Sequence, residues 1–290
     1  QDRAVTSSDY EALVPRLYAE AESVAAYGGE DLDPPQYGKV FVSIKPYNGV
    51  FLSEEIKRNL QLQLRKYSVA GIITEIIDLK YLYIEVDTNV YYNQNSAGSV
   101  DQVKTAVTNN ILKYSNSTQL NKFGARFKYS KFGKIIDDSH DSITSNITTI
   151  NMRRDLQALL NQFVEYSLGF GNQIHIKSEI GFNIKSSGFS VSGISGTVYM
   201  SDAPNVDLKT GTIFLFKLNS PTEPVILKRN IGTIDYTTGE IKINDLYITS
   251  VSNINGSTST VFRLTVQPDS KDIKSVRNQV LEFNLNDATV

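Results

Sequence analysis

Residues 39–92 read KVFVSIKPYNGVFLSEEIKRNLQLQLRKYSVAGIITEIIDLKYLYIEVDTNVYY, and the periodicity of this stretch decides the fold class. In 39–45, Val40, Val42 and Ile44 share one side of an alternating run, the pattern of a half-buried strand. Pro46-Tyr-Asn-Gly49 is a turn. Ser53 caps a helix over 54–67. Glu54 and Glu55 fall in its first turn, where the helix dipole favours negative charge, and Ile56, Leu60, Leu64 and Tyr67 form the buried stripe. Gly71 closes the segment. Residues 72–78 make a short strand, and 81–92 a longer one with Leu82, Ile84, Val86, Val90 and Tyr92 inward.

The same logic extends outward. Ser99 caps another helix with Gln102 as its box partner, and Val103, Val107 and Ile111 repeat every four residues on its buried side. A strand at 145–152 then completes a split β-α-β unit of ferredoxin-like type. Upstream, residues 8–27 read as helical, with Ser8 as cap, Glu11 completing a capping box, a kink at Pro15 and Gly28-Gly29 as the stop. Residues 30–38 are a polar, Pro-bearing connection. Residues 153–170 place Leu156, Leu159, Leu160 and Phe163 at helical spacing and read as a short helical turn followed by a strand. From 174 on, short β-branched and aromatic runs alternate with Gly, Asn, Ser and Pro, and Tyr236-Thr-Thr-Gly239 marks a hairpin turn. The expected class is α+β: N-terminal helices (1–38), a ferredoxin-like α/β domain (39–153), a connecting segment (154–174) and a mainly β domain (175–290) built as a sandwich or small barrel.

Composition narrows the chemistry. The 290 residues hold no Cys, no Trp and two histidines, His140 and His175. Most nucleophilic and general-base chemistry near neutral pH relies on His or Cys, so the chain reads as one that works through surfaces. The absence of Cys excludes a disulfide framework and fits a reducing compartment. A formal charge of −2 gives no general attraction to nucleic acid or anionic membrane. No stretch approaches the ~20 apolar residues that span a bilayer, and no signal peptide is visible. The chain opens on Gln1, which reads as a piece cut from a longer protein. The Asn-x-Ser/Thr triplets at Asn116, Asn146 and Asn255 are expected by chance in so polar a composition.

Each local cluster has a plain reading. Asp137, Asp138, His140 and Asp141 offer metal-ligand atoms, but their spacing matches neither an EF-hand loop nor a helical His pair, so they read as a solvated loop between strands. His175 shares a strand face with Lys177 and reads as a surface residue. The glycines Gly169/Gly171 and Gly193/Gly196 form no phosphate-binding motif and read as turn or bulge positions. Basic residues gather at Lys57-Arg58, Arg65-Lys66, Lys122 to Lys134, Arg153-Arg154 and Lys228-Arg229. The stretch 122–134 interleaves rings with cations, as single-strand nucleic-acid binders do, but the acidic loop beside it opposes that field, and it reads as an edge strand. Tyrosine placement stands out. Tyr81, Tyr83 and Tyr91 lie on the face of strand 81–92 opposite Leu82, Ile84 and Val86, where aromatic ridges serve protein contacts or pack under the N-terminal helices.

The opening Arg3-Ala-Val-Thr6-Ser-Ser-Asp9-Tyr10-Glu11, the Gly28-Gly29-Glu30 that follows and Pro35-Gln-Tyr-Gly38-Lys-Val40 together resemble the baseplate J-like family of contractile phage tails. Gly232-Thr-Ile-Asp-Tyr236-x-x-Gly239 and Pro268-x-Ser-x-Asp272-Ile-x-Ser-x-Arg277-Asn278-Gln279 look like the C-terminal part of the baseplate wedge ring proteins of T-even contractile-tailed phages. The resemblance implies a structural, non-catalytic subunit of the virion tail baseplate, assembled in the host cytoplasm. Its partners would be itself, as a homodimer, and other wedge subunits. It would form a ring around the hub and shift its contacts on sheath contraction. No cofactor, metal, nucleic acid, membrane or small-molecule substrate is implied. The alternatives are a receptor- or carbohydrate-binding module of a tail appendage, which the absence of Trp argues against, and a carboxylate hydrolase, whose paired acids would leave no spacing signature.

Overall fold

The computed structural model describes residues 3–32, 34–96, 98–117, 119–220, 223–253 and 259–283. Asn255 therefore lies outside the described residues. In chain order the elements are α1 (Ser7–Leu17), β1 (Ala21–Gly28), a 3-10 turn (Gly29–Asp31), β2 (Lys39–Pro46), α2 (Glu54–Arg65), β3 (Ile73–Ile77), β4 (Lys80–Tyr92), α3 (Val100–Ser115), β5 (Arg126–Phe127), α4 (Tyr129–Asp137), β6 (Ile143–Gln157), β7 (Phe163–Gly169), β8 (Ile184–Ser186), β9 (Phe189–Val191), β10 (Tyr199–Pro204), β11 (Thr210–Ser220), β12 (Glu223–Asp235), β13 (Glu240–Val251), β14 (Val261–Val266), β15 (Ile273–Lys274) and β16 (Gln279–Phe283). The class is α+β, as expected. The strands lie in separate sheets rather than a barrel.

Two compact units divide the chain. The first gathers residues up to Tyr81 with Lys113–Phe127 and Lys274–Glu282. Its sheet has the order β1-β2-β3. Strand β2 is buried from Phe41 to Pro46 and needs a partner on each side. β3 supplies one by a parallel crossover through α2, and β1 the other by antiparallel pairing. The helix expected over 8–27 therefore stops at Leu17. Residues 21–28, although rich in Ala, are a strand, because the open edge of β2 outweighs a weak helix preference. The helix cap also lies two residues earlier than expected. Thr6 is the N-cap, and Asp9 closes the capping box in place of Ser8 and Glu11. Ser53 caps α2 as read from the sequence, accepting the Ile56 N–H at 3.4 Å. Tyr10, Val14, Val42, Ile44, Leu60 and Leu64 share the core.

The second unit holds Leu82–Leu112, Lys128–Ile273 and Phe283. Within it β4, β6, β14 and β8 are hydrogen-bonded neighbours in that order, all antiparallel. The strands expected to join in one split β-α-β sheet are thus shared out: β2 and β3 pair with each other, and β4 pairs with β6. β6 continues to Gln157 because Met152–Gln157 pair with Val261–Val266, and this replaces the helical turn expected after 153. A second sheet runs β10-β11-β12-β13-β7, with β9 also on β13. It is open, ending on β10 and β7, so the small-barrel alternative is not what forms. Residues 129–134, expected within an edge strand, belong instead to helix α4 (Tyr129–Asp137). Phe132 and Ile136 are buried four residues apart, and Asp272 Oδ1 accepts the Tyr129 N–H at 2.9 Å at the helix start.

The Gly232–Gly239 signature has a physical reading at each position. A Cβ on Gly232 would stand 2.3 Å from the Lys242 carbonyl of the paired strand, so β12 and β13 approach closely only with glycine there. Asp235 accepts the N–H groups of Thr237 and Thr238 at 2.8 and 3.2 Å, forming the turn, and Gly239 takes φ +72°. Tyr236 reaches the buried carboxylate of Asp202.

Candidate interaction surface

The alternation of β4 places Tyr81, Tyr83 and Tyr91 on the side away from buried Leu82, Ile84 and Val86, as read from the sequence. Each tyrosine meets different surroundings. In the first unit, the Tyr81 hydroxyl donates to the Val50 carbonyl at 3.4 Å, and its ring meets Phe51 edge-on, centroids 6.3 Å apart. The turn around Gly49, which takes φ +92°, leaves Tyr47 63%, Val50 54% and Phe51 55% exposed. Tyr81 is thus half-buried at the base of an apolar knob that sequence reading did not single out. Its signal was the Tyr-x-x-Val-Phe content of a turn that composition alone would make polar.

In the second unit, Tyr83 lies under the Arg153 guanidinium, 4.4 Å from ring centre to Cζ. Tyr91 is 50% exposed, and its carbonyl accepts the Thr144 hydroxyl at 3.1 Å. Tyr83 and Tyr91 are eight residues apart on one strand, roughly 26 Å at strand rise.

Arg153-Arg154, grouped with the basic clusters by sequence, is buried on both residues. Arg153 shares the polar face of the sheet with Tyr83. It binds Glu85 through Nη1 at 2.8 Å and Asp155 through Nε at 2.8 Å. Burial works against its charge, but Asp155 and Glu85 outweigh that, and its pKa rises above the ordinary guanidinium value. Arg154 falls in phase with Met152 on the apolar side. Burial lowers its pKa to about 10, and its Nε and Nη1 meet no acceptor among the described residues. The phase of the two positions within an alternating strand was the available signal.

Asp202 is a further polar centre of the second unit. Fully buried, it accepts the N–H groups of Asn183 and Ile184, each at 2.7 Å, the Asn183 amide at 2.9 Å and the Tyr236 hydroxyl. Burial, followed by the adjacent Asp202 charge, raises the Tyr236 pKa. These contacts fix the turn before β8, where Phe182 is held at φ +63°.

The remaining sequence candidates have local partners. Asp137 accepts the Asn146 amide at 2.7 Å, Asp138 pairs with Lys134 at 2.9 Å, and His140 Nδ1 accepts the Ser142 N–H at 3.2 Å. They occupy the end of α4 and the turn after it rather than a loop between strands. Among the described residues, no three His, Cys, Asp or Glu side chains converge as a metal site. His175 follows the bridge residue Ile174, and its Nδ1 is 3.3 Å from Asp269. Among the described residues no helix is long and apolar enough to cross a membrane.

A family model described as baseplate structural protein gp6, C-terminal domain I, matches residues 6–77, and one described as its C-terminal domain III matches residues 80–155. Together they cover about half of the chain. The baseplate wedge protein gp6 of Enterobacteria phage T4 is 26% identical over 180 residues, which is 61% of this chain and 26% of that protein. The chain thus spans about a quarter of the length of this curated relative. A cryo-EM structure of the anti-feeding prophage baseplate, 6-fold symmetrised, aligns with 51% of this chain and 34% of the matched chain, at 15% identity and a TM-score of 0.35. A likeness at that score carries no argument.

Proposed function

Because the chain belongs to the family of baseplate structural protein gp6, through that protein's C-terminal domains I and III, we propose that it is a structural subunit of a phage tail baseplate wedge. In this reading it makes no covalent chemistry, pairs with a second copy, contacts other wedge subunits and helps to ring the hub. Those contacts are re-formed when the sheath contracts, and the subunit assembles in the host cytoplasm. The family assignment favours this over a receptor- or carbohydrate-binding module.

The observation that carries the contact reading is the apolar knob of Tyr47, Val50 and Phe51 over Tyr81. Apolar side chains more than half exposed on one turn are costly unless something covers them. Tyr91, half exposed at the far end of β4, is a second contact point. Tyr83 supports the face indirectly, by holding Arg153. A closed two-fold pair is the simplest unit from which a ring grows. Sedimentation equilibrium is expected to give a dimer at tens of micromolar. A monomer throughout the high micromolar range would sink the homodimer.

A further inference from the structure

Helix α2 has two working faces. Leu60 and Leu64 point into the core, while Arg58, Leu62 and Arg65 lie outward. Leu62 is 57% exposed. The connection after the helix and the start of β3 bring Val69 and Ile73 up beside it, 37% and 56% exposed. Between the helix and this connection runs a groove of about 660 Å³, with Gln61 Nε2 donating to the Thr74 carbonyl at 2.8 Å across it. That volume is in the range that accommodates a ligand or several side chains.

The charge around the groove has one sign. Arg58 and Arg65 line it, no carboxylate does, and neither arginine has an ion pair among the described residues. Nearby acids are engaged elsewhere: Glu54 and Asp78 hold Lys57, and Glu75 holds Lys39. Glu55, one turn before Arg58, stands outside the lining. The arginines are seven residues apart, roughly 10 Å along the helix axis, with Leu62 between them.

We propose that this groove docks a helix of a different protein whose contact face runs acidic, apolar, acidic. Carboxylates at i and i+7 meet Arg58 and Arg65, and apolar side chains at i+3 and i+4 seat against Leu62, Val69 and Ile73. Two guanidinium–carboxylate pairs set the register, and the apolar centre supplies the buried area. A second copy of this chain is a poor occupant, since two-fold packing of α2 on itself would set arginine against arginine. The proposal rests on the reading of the chain as a protein that works by protein contacts, but uses a different face from the aromatic knob.

The test is fluorescence anisotropy of a labelled designed helical peptide bearing Glu at i and i+7 and Leu at i+3 and i+4, titrated with the full chain. Saturable binding is expected. The double variant R58E/R65E should weaken it by roughly tenfold or more. A peptide with Lys in place of both Glu should fail on the parent chain and bind the double variant. Leu62→Asp, an exposed position, should abolish binding while the melting curve and sedimentation mass stay unchanged. Absence of saturation, equal binding of the Lys peptide, or a change of the chain's own mass in Leu62→Asp would overturn the proposal. The last would assign the groove to a second copy. The titration is read whatever the oligomeric state of the chain, so its failure and that of the homodimer are separable.

Discussion

Arg153 and Arg154 are adjacent in the chain and both buried, yet among the described residues only Arg153 meets carboxylates. Strand geometry sends neighbouring side chains to opposite faces. Arg153 arrives on the polar face, between Glu85 and Asp155 and over Tyr83, and Arg154 on the face of Met152.

Substitution of the two arginines should therefore have opposite effects. Arg153→Met leaves Glu85 and Asp155 partly buried without their cation and is expected to cost about 3 kcal/mol. Arg154→Met removes a buried charge with unfilled donors and is expected to stabilise by about 1 kcal/mol. Urea unfolding of both variants measures this. Equal destabilisation by both would contradict the assignment of partners.

Tyr236→Phe removes a donor from the fully buried Asp202 and is expected to cost about 1–3 kcal/mol. The pH dependence has a defined sign. The folded-state pKa of Tyr236 is raised, so its contribution is complete below the ordinary tyrosine value near 10 and is lost as pH rises above it, where the unfolded chain releases the proton first. The melting temperature of the parent should fall more steeply between about pH 9 and 11 than that of Tyr236→Phe. Parallel curves would refute the linkage.

Gly232→Ala would press a methyl group into the Lys242 carbonyl. The paired strands must move apart, at an expected cost of about 1–3 kcal/mol. Gly193→Ala meets no atom of the described residues within 4 Å and bears only the strain of φ +80°, so it should cost less. Thermal melts of the two variants give the order, and the reverse order would count against close strand approach.

Phe51→Ser should weaken self-association roughly tenfold with little change in unfolding midpoint, because the ring is 55% exposed. Tyr83→Leu, which strips the ring from beneath Arg153, should lower stability and leave association intact. Sedimentation and urea titration on both variants separate the two roles. A Phe51→Ser dimer as tight as the parent would remove the knob from the contact.

What could be read along the chain was whatever closes within a few residues. Helix α2 was legible with its Ser53 cap, and α3 with its i, i+4 stripe, because each helical bond joins residues four apart and the stripe and cap are local. The alternation of β4, and hence the face shared by Tyr81, Tyr83 and Tyr91, was legible for the same reason. By contrast β2, expected to be half-buried, is buried on both faces from Phe41 to Pro46 because it is paired and covered by distant elements. Strand identity at 21–28 and 153–157 was not legible. Their hydrogen bonds come from β2 and from Val261–Val266, the latter more than a hundred residues on, and no local pattern records an edge that waits to be paired. The fate of each side chain on a face was equally remote. Tertiary structure set Arg153 over Tyr83, buried Asp202 beneath Tyr236 and left Phe51 and Leu62 facing outward, because burial and charge pairing are sums over neighbours that only the folded chain brings together.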